Sequence, residues 1–328
     1  RMKLAVFLLL AIALSTSTHA QTAAVTKPPA TRIEPVTDTL HGHAVADRYR
    51  WLEGDNSNPE RMGQVTPEVA AWTDAQNAYT RAVLDALPGR KALEDRMRPL
   101  LEIGSVEKPD MRGNRYFFAK REGSQNQPVF YWREGYRGET RKLVDPAEID
   151  PSGLTTVSWL APSRDGALAA YGTYRAGDEN ATLHLIEVAT GKKLPLEIPN
   201  KVRGVQWLPD GSGFTYQNLA DAANPYTGQV MFHRMGDDPK SDAQLFRQYT
   251  KEENEKLSTT WGPGGNLADD ARWIVFQYWT GTNSNDLWVA DFEAYRQGGK
   301  LEKREISVGR EGTVGGWTVG DTLYTSTT

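Results

Sequence analysis

The chain has 328 residues, enough for about two domains, with 38 basic and 42 acidic side chains and a formal net charge of −4. These charges are mixed along the chain with no basic block, which argues against nucleic acid or a polybasic membrane patch as partners. Cysteine is absent, which excludes disulfides, a thiol nucleophile, thiolate zinc sites and a lipid-modified cysteine.

From the N-terminus, Met2-Lys3 is a short positive region, Leu4 to Leu14 an apolar run of eleven, and Ser15 to Ala20 a small polar stretch. This order reads as a secretory signal peptide over residues 1–20. Its apolar run is too short to span a bilayer, so no membrane association is expected after cleavage, and an exported, periplasmic protein is. Residues 21–30, with two prolines, read as a linker. Residues 31–104 form an N-terminal helical segment that starts extended, with Pro35, Gly42 and Gly54 as punctuation. Thr66-Pro67-Glu68 then opens a helix with an N-cap hydroxyl, Pro at the first position and an acid in the first turn. Val69, Trp72, Tyr79, Val83 and Leu87 recur on one helical face, and Pro88-Gly89 ends it. A second helix is expected from Lys91 to Leu101, stopping early because of Pro99.

Beyond Gly104 the helical period gives way to short apolar or alternating runs, such as Arg115 to Ala119, Val129 to Trp132, Leu168 to Tyr174, Leu183 to Val188, Phe214 to Tyr216 and Trp273 to Tyr278. Clusters of Gly, Asn, Asp and Pro separate them, the pattern of β-meanders. Ten Trp and thirteen Tyr suit such a β-rich fold. Trp159, Trp207, Trp261 and Trp317 each open a similar phrase of turn and aromatic strand, at spacings of 48, 54 and 56 residues. Periods near 50 residues with four strands each are those of β-propeller blades. The expectation over residues 105–328 is therefore a mainly β fold: an incomplete β-propeller of four blades, with the opening strand of a fifth at Val319 to Thr325. A ring stopped there leaves an unpaired edge, which points to a fragment; a β-sandwich with coincidental tryptophans is the bland alternative.

Catalytic motifs are missing. A nucleophile elbow needs Gly-x-Ser-x-Gly between strand and helix, and no such run occurs; Gly211-Ser212-Gly213 reads as a turn. His41-x-His43 lacks a third ligand in recognisable spacing, and His184 and His233 sit inside strand runs. Asp237-Asp238, Asp269-Asp270 and Glu252-Glu253 read as solvated turns. Neither a catalytic residue, a metal site nor a cofactor is therefore assigned to this chain.

The run His41-Gly42-His43-Ala44-Val45-Ala46-Asp47-Arg48-Tyr49-Arg50-Trp51-Leu52-Glu53, followed by the helix through Trp72, resembles the N-terminal signature of the prolyl oligopeptidase family. Further likenesses follow in the family's order: Gly113 to Phe118, Gln125 to Tyr131, Leu143-Val144-Asp145-Pro146, Ser163-Arg164-Asp165-Gly166, Trp207 through Tyr216, and His233 to Asp237. The resemblance implies a seven-bladed propeller joined to an α/β-hydrolase domain that carries the Ser, Asp and His beyond residue 328. The apolar face of Trp72, Tyr79, Val83 and Leu87 would then pack on that missing domain and be exposed here. Family activity is serine-type endopeptidase cleavage of short peptides after proline, through an acyl-enzyme, with the propeller restricting access. Short proline-containing peptides and the chain's own missing hydrolase domain are the implied partners, and the chain alone is expected to be inactive. Three positions depart from the pattern. Val202 stands where an aromatic often faces substrate, making it the one weak substrate-facing candidate; Asn180 stands where Trp is common; Arg48 replaces a Pro. The alternatives are a non-catalytic propeller used for binding or scaffolding, and a sister oligopeptidase with a different P1 preference.

Overall fold

A computed structural model describes residues 27–57, 61 and 63–328. The expected signal peptide (1–20) and the first part of the expected linker lie outside the described residues. The chain divides into two compact units, one up to Leu101 and one from Glu102.

In the first unit, β1 (Val36–Leu40) and β2 (His43–Asp47) pair antiparallel. His41 and Gly42 join them with φ of 52° and 81°. Two successive positive φ values make the turn whose twist matches a hairpin; Gly adopts it freely and His tolerably. Arg50 then bonds Asp47 at 2.9 Å and Asp38 at 2.5 Å, fastening the one-turn helix Arg50–Glu53 to both strands. Helix α1 (Pro67–Asp85) starts as expected, Thr66 Oγ1 accepting the Val69 N–H. Trp51 meets Trp72 edge-on with ring centroids 6.3 Å apart. The Trp72 indole donates to Thr31 and Gln76 donates to the Pro29 carbonyl. The expected exposed face of α1 is thus partly covered: Trp72, Tyr79 and Val83 are half-buried, and Leu87 is exposed. Helix α2 (Arg90–Leu101) contains Pro99 instead of stopping before it. Pro99 falls in the last turn, where only one interior hydrogen bond is lost, so the helix tolerates it.

In the second unit, the first sheet comprises β3 (Ser105–Val106), β4 (Asp110–Arg112), β5 (Arg115–Arg121), β6 (Val129–Glu134) and β7 (Arg141–Val144). Both β3 and β4 pair with β5, so they are one inner strand interrupted around Pro109, which has no N–H for the ladder. A short helix α3 (Pro146–Ile149) leads out. The second sheet is β8 (Thr155–Pro162), β9 (Leu168–Arg175), β10 (Thr182–Glu187) and β11 (Lys193–Ile198). The third is β12 (Arg203–Trp207), β13 (Gly213–Leu219), β14 (Gly228–Arg234) and β15 (Ala243–Arg247). The fourth is β16 (Gly262–Leu267), β17 (Trp273–Gly281), β18 (Ser284–Asp291) and β19 (Arg304–Ser307), with α4 (Phe292–Arg296) between its last two strands. Each is an antiparallel meander in strand order, and the inner strands β8, β12 and β16 lie side by side. A hairpin of β20 (Val314–Val319) and β21 (Thr322–Thr327) follows.

Those last strands correct one expectation. Val319 to Thr325 is not a single strand; Val319 pairs with Thr322 across the turn Gly320-Asp321, Gly320 having φ 54°.

The sheets stack face to face, which is why their middle strands read as near-continuous apolar runs: both faces are covered. Phe117, Trp132 and Val144 pack against Val157, Ala169 and Tyr171 between sheets one and two. Ala170 and Leu185, on the other face of sheet two, pack against Trp207, Phe214 and Tyr216. Val230 and Phe246 meet Ile274, Phe276 and Tyr278, while Val275 and Leu287 turn the other way, to Val314. Four stacked blades and a starting fifth, in a mainly β chain, are the expected incomplete propeller.

The tryptophan repeat is only partly structural. Pro162, Trp207 and Leu267 occupy the matching rung, opposite Ala169, Phe214 and Ile274, so Trp159 and Trp261 are out of register with Trp207. Trp159 and Trp207 nevertheless work as a pair. The Trp159 indole donates to the Val202 carbonyl, and the Trp207 indole to the Ala161 carbonyl, stitching sheets two and three in both directions.

Candidate functional site

A cavity of about 510 Å³ opens where the inner strands of the third and fourth sheets begin. Trp261, Pro263, Trp279 and Arg203 line it, with Gln217 behind them. Its aromatics are placed by strand geometry. Trp261 immediately precedes β16, and Trp279 is paired with Gly262 at the far end of β17. Gly264, in the lining, carries no side chain to fill the space between them. Trp261 is 82% exposed and Trp279 is 38% exposed, unusual for side chains as large and apolar as indoles beside an otherwise packed sheet. Exposed aromatics around a concave surface mark a binding site rather than a core. Arg203, with no ion pair among the described residues, adds a planar set of N–H donors suited to carbonyl or carboxylate oxygens. The indoles can stack against apolar rings and the guanidinium can donate to carbonyl or carboxylate oxygens. A Thr282 hydroxyl lines the cavity, but its described lining includes no imidazole, carboxylate or amine that could act as a base on it.

The residues singled out in the sequence lie elsewhere. The Val202 side chain is 1% exposed, packed with Ile198, Trp207 and Phe214 between sheets two and three. Its N–H donates to the Ala181 carbonyl, which fixes that inward direction, and it is the next residue, Arg203, that reaches the cavity. Asn180 sits in the turn before β10, its N–H held by the Asp178 carboxylate. His41 is in the first hairpin turn and His43 begins β2, both exposed. His184 lies on β10 with Nε2 2.8 Å from Thr173 Oγ1 and Nδ1 3.3 Å from Glu197. Burial pushes its imidazole below the ordinary value, partly offset by the Glu197 charge.

His233 is the unexpected one. Nδ1 lies 2.8 Å from Asp242 Oδ1, and the Tyr216 hydroxyl donates to Asp242 Oδ2 at 2.8 Å. The His233 and Asp242 side chains are each 1% exposed, and burial raises the Tyr216 hydroxyl far above the ordinary phenol value, helped by the Asp242 charge. His233 Nε2 has no partner, so the tautomer that fits is Nδ1–H donating to Asp242, which leaves only a lone pair unpaired. This is a buried polar brace for the third sheet: no nucleophile adjoins it. The sequence held a signal for it, a His in a strand and an Asp in the following turn, but not the pairing.

The acid pairs are less uniform than solvated turns. Asp269 bonds Arg164 of the second sheet at 2.6 Å, and Glu253 takes both nitrogens of Arg247 at 2.7 and 2.8 Å. That fork, chiefly, holds the Glu253 carboxyl down to about 2.

Comparison with known proteins agrees with this architecture. The family model described as prolyl oligopeptidase, N-terminal beta-propeller domain, matches residues 28–327. The prolyl endopeptidase of Elizabethkingia meningoseptica is 27% identical over 317 residues, spanning 93% of this chain and 41% of that protein. A solved structure from a study of two prolyl endopeptidases superimposes with a TM-score of 0.79 at 29% identity, covering 91% of this chain and 42% of the other. Prolyl oligopeptidase B of Galerina marginata, solved with a 35-residue hydrolysis and macrocyclization substrate, shares the fold at a TM-score of 0.75 and 20% identity, over 92% of this chain and 44% of its own. This chain therefore spans less than half the length of the relatives it matches. With sheets, order and sequence aligned from residue 28 to 327, it belongs to the prolyl oligopeptidase family and corresponds to that family's N-terminal β-propeller region.

Proposed function

We propose that this chain is the substrate-sorting part of an exported serine-type endopeptidase that hydrolyses short peptides after proline. The cavity at Trp261, Trp279 and Arg203 carries the reading: it presents two exposed indoles and, among the described residues, a guanidinium with no ion pair. Proline rings are rigid and apolar, so stacking them on indoles loses little conformational entropy. The serine, aspartate and histidine belong to an α/β-hydrolase domain outside this sequence, since no Gly-x-Ser-x-Gly elbow occurs within it. Export rests on the leader-like residues 1–20.

The test uses the full-length enzyme containing this chain and two peptides that differ only by Pro or Ala at the cleaved position. Preferential cleavage after Pro is expected, with residues 1–328 alone giving none. Trp261→Ala is expected to raise KM several-fold while leaving the unfolding midpoint unchanged, because the indole is almost wholly in solvent. Equal cleavage of both peptides, or activity from residues 1–328, would overturn the reading.

A further inference from the structure

A second cavity, of about 200 Å³, lies at the opposite ends of the inner strands, and all four complete sheets contribute to it. Pro162, Trp207 and Leu267 close its bottom but are themselves buried, so its accessible lining is mostly polar, and its rim carries two guanidiniums, Arg112 and Arg164. Arg112 Nη1 bonds Asp110 at 2.6 Å, and its Nε donates to the Pro162 carbonyl at 3.4 Å. Arg164 is different. Its Nη2 bonds Asp269 of the fourth sheet at 2.6 Å, an ion pair that skips the third sheet and crosses the cavity mouth. The Asp269 side chain is 95% exposed, so it contributes almost nothing but its carboxylate. Only one of the five guanidinium donors of Arg164 is used by that contact.

We propose that this cavity binds a carboxylate-bearing ligand, and that Asp269 is a built-in stand-in which the ligand displaces from Arg164. Surface ion pairs are weak and readily exchanged, whereas a guanidinium offered a carboxylate in bidentate geometry holds it better. The cavity is smaller than the roughly 300–1,000 Å³ of pockets that enclose a drug-sized ligand. It therefore accepts a tip: a carboxylate at the Arg164 rim. Both the free C-terminus of a short peptide and an acidic side chain supply that chemistry. The inference is independent of the peptidase reading, since it concerns binding at the other mouth.

The test is fluorescence anisotropy on the full chain with three labelled tripeptides. One ends in leucine with a free carboxylate, one is its C-terminal amide, and one is an amide carrying aspartate before the leucine. The free carboxylate is expected to bind at least about tenfold tighter than the amide. Asp269→Asn is expected to tighten it a further three- to fivefold or so, and Arg164→Gln to erase the preference. Tight binding of the aspartate peptide alone supports the site and assigns it to acidic side chains. Carboxylate and amide binding alike, in wild type and in Asp269→Asn, overturns the proposal. The wild-type comparison and the exposed Asp269→Asn change stand even where Arg164→Gln disturbs the fold.

Discussion

Removing the Asp242 carboxylate should destabilise the third sheet more than any other single polar change here. Asp242 takes two hydrogen bonds of 2.8 Å, from Tyr216 and from His233, and all three side chains are essentially buried. Bonds to a charged acceptor contribute about 1.5–3 kcal/mol each, so two give about 3–6 kcal/mol. Asp242→Ala leaves a hydroxyl and an imidazole N–H unpaired in a buried site, as in a broken buried pair, where about 3–5 kcal/mol is usual. Asp242→Asn keeps the shape and an acceptor for Tyr216, but its amide faces His233 Nδ1. The ring must then move its proton to Nε2, which has no acceptor; about 1–3 kcal/mol is expected. Tyr216→Phe, which removes one of those two bonds and leaves Asp242 still bonded to His233, should cost about 1.5–3 kcal/mol. Urea unfolding followed by tryptophan fluorescence measures all three. Asp242→Ala must be the most destabilising of the three. An Asp242→Ala effect below about 1 kcal/mol would show that the brace contributes nothing net, and the reasoning would fail.

Other consequences can be checked in the same assay. Phe276→Ala removes a fully buried ring between sheets three and four, edge-on to Phe246 at 5.4 Å, and should cost about 3–5 kcal/mol; a loss under about 1 kcal/mol would mean those sheets do not pack as described. Gly172→Ala would place a Cβ 2.4 Å from the Trp159 ring, so the indole must leave its bond to Val202; destabilisation of about 1–3 kcal/mol with a shifted tryptophan emission is expected. The His184 imidazole is held below its ordinary value by burial, so the unfolded chain takes up a proton first. Stability should therefore fall as pH drops below about 6.5, through the depressed folded value, and His184→Gln should flatten that slope; an unchanged slope would assign it to another group. Thr66→Ala should lower stability of the first unit by about 1 kcal/mol through its lost N-cap bond, read by far-UV circular dichroism on heating.

Local rules made much of this chain readable. The cap at Thr66, the hairpin turn at His41-Gly42 and the apolar middle strands of each blade follow from side-chain chemistry and backbone sterics acting over a few residues. Those strands read as continuous apolar runs because a blade is covered on both faces, and their recurrence near every 50 residues gave away the propeller. Two local readings fall short. Pro99 stays inside α2 because a last turn forgives a missing N–H, and a single strand through Val319 to Thr325 passes over the two-residue hairpin turn that Gly320-Asp321 signals.

What the sequence by itself determined is the family, the class of fold and the absence of a nucleophile elbow, since each depends on residue order. Tertiary structure alone decided which side chains meet. Arg164 and Asp269 are 105 positions apart, and Arg203 meets Trp261 and Trp279 across two sheets. The tryptophan spacing could not say that Trp159 and Trp207 stitch two sheets together while Trp261 stands in solvent. A strand's alternation fixes which face a side chain takes, but only the stacking of one blade on the next fixes whether that face is core or cavity.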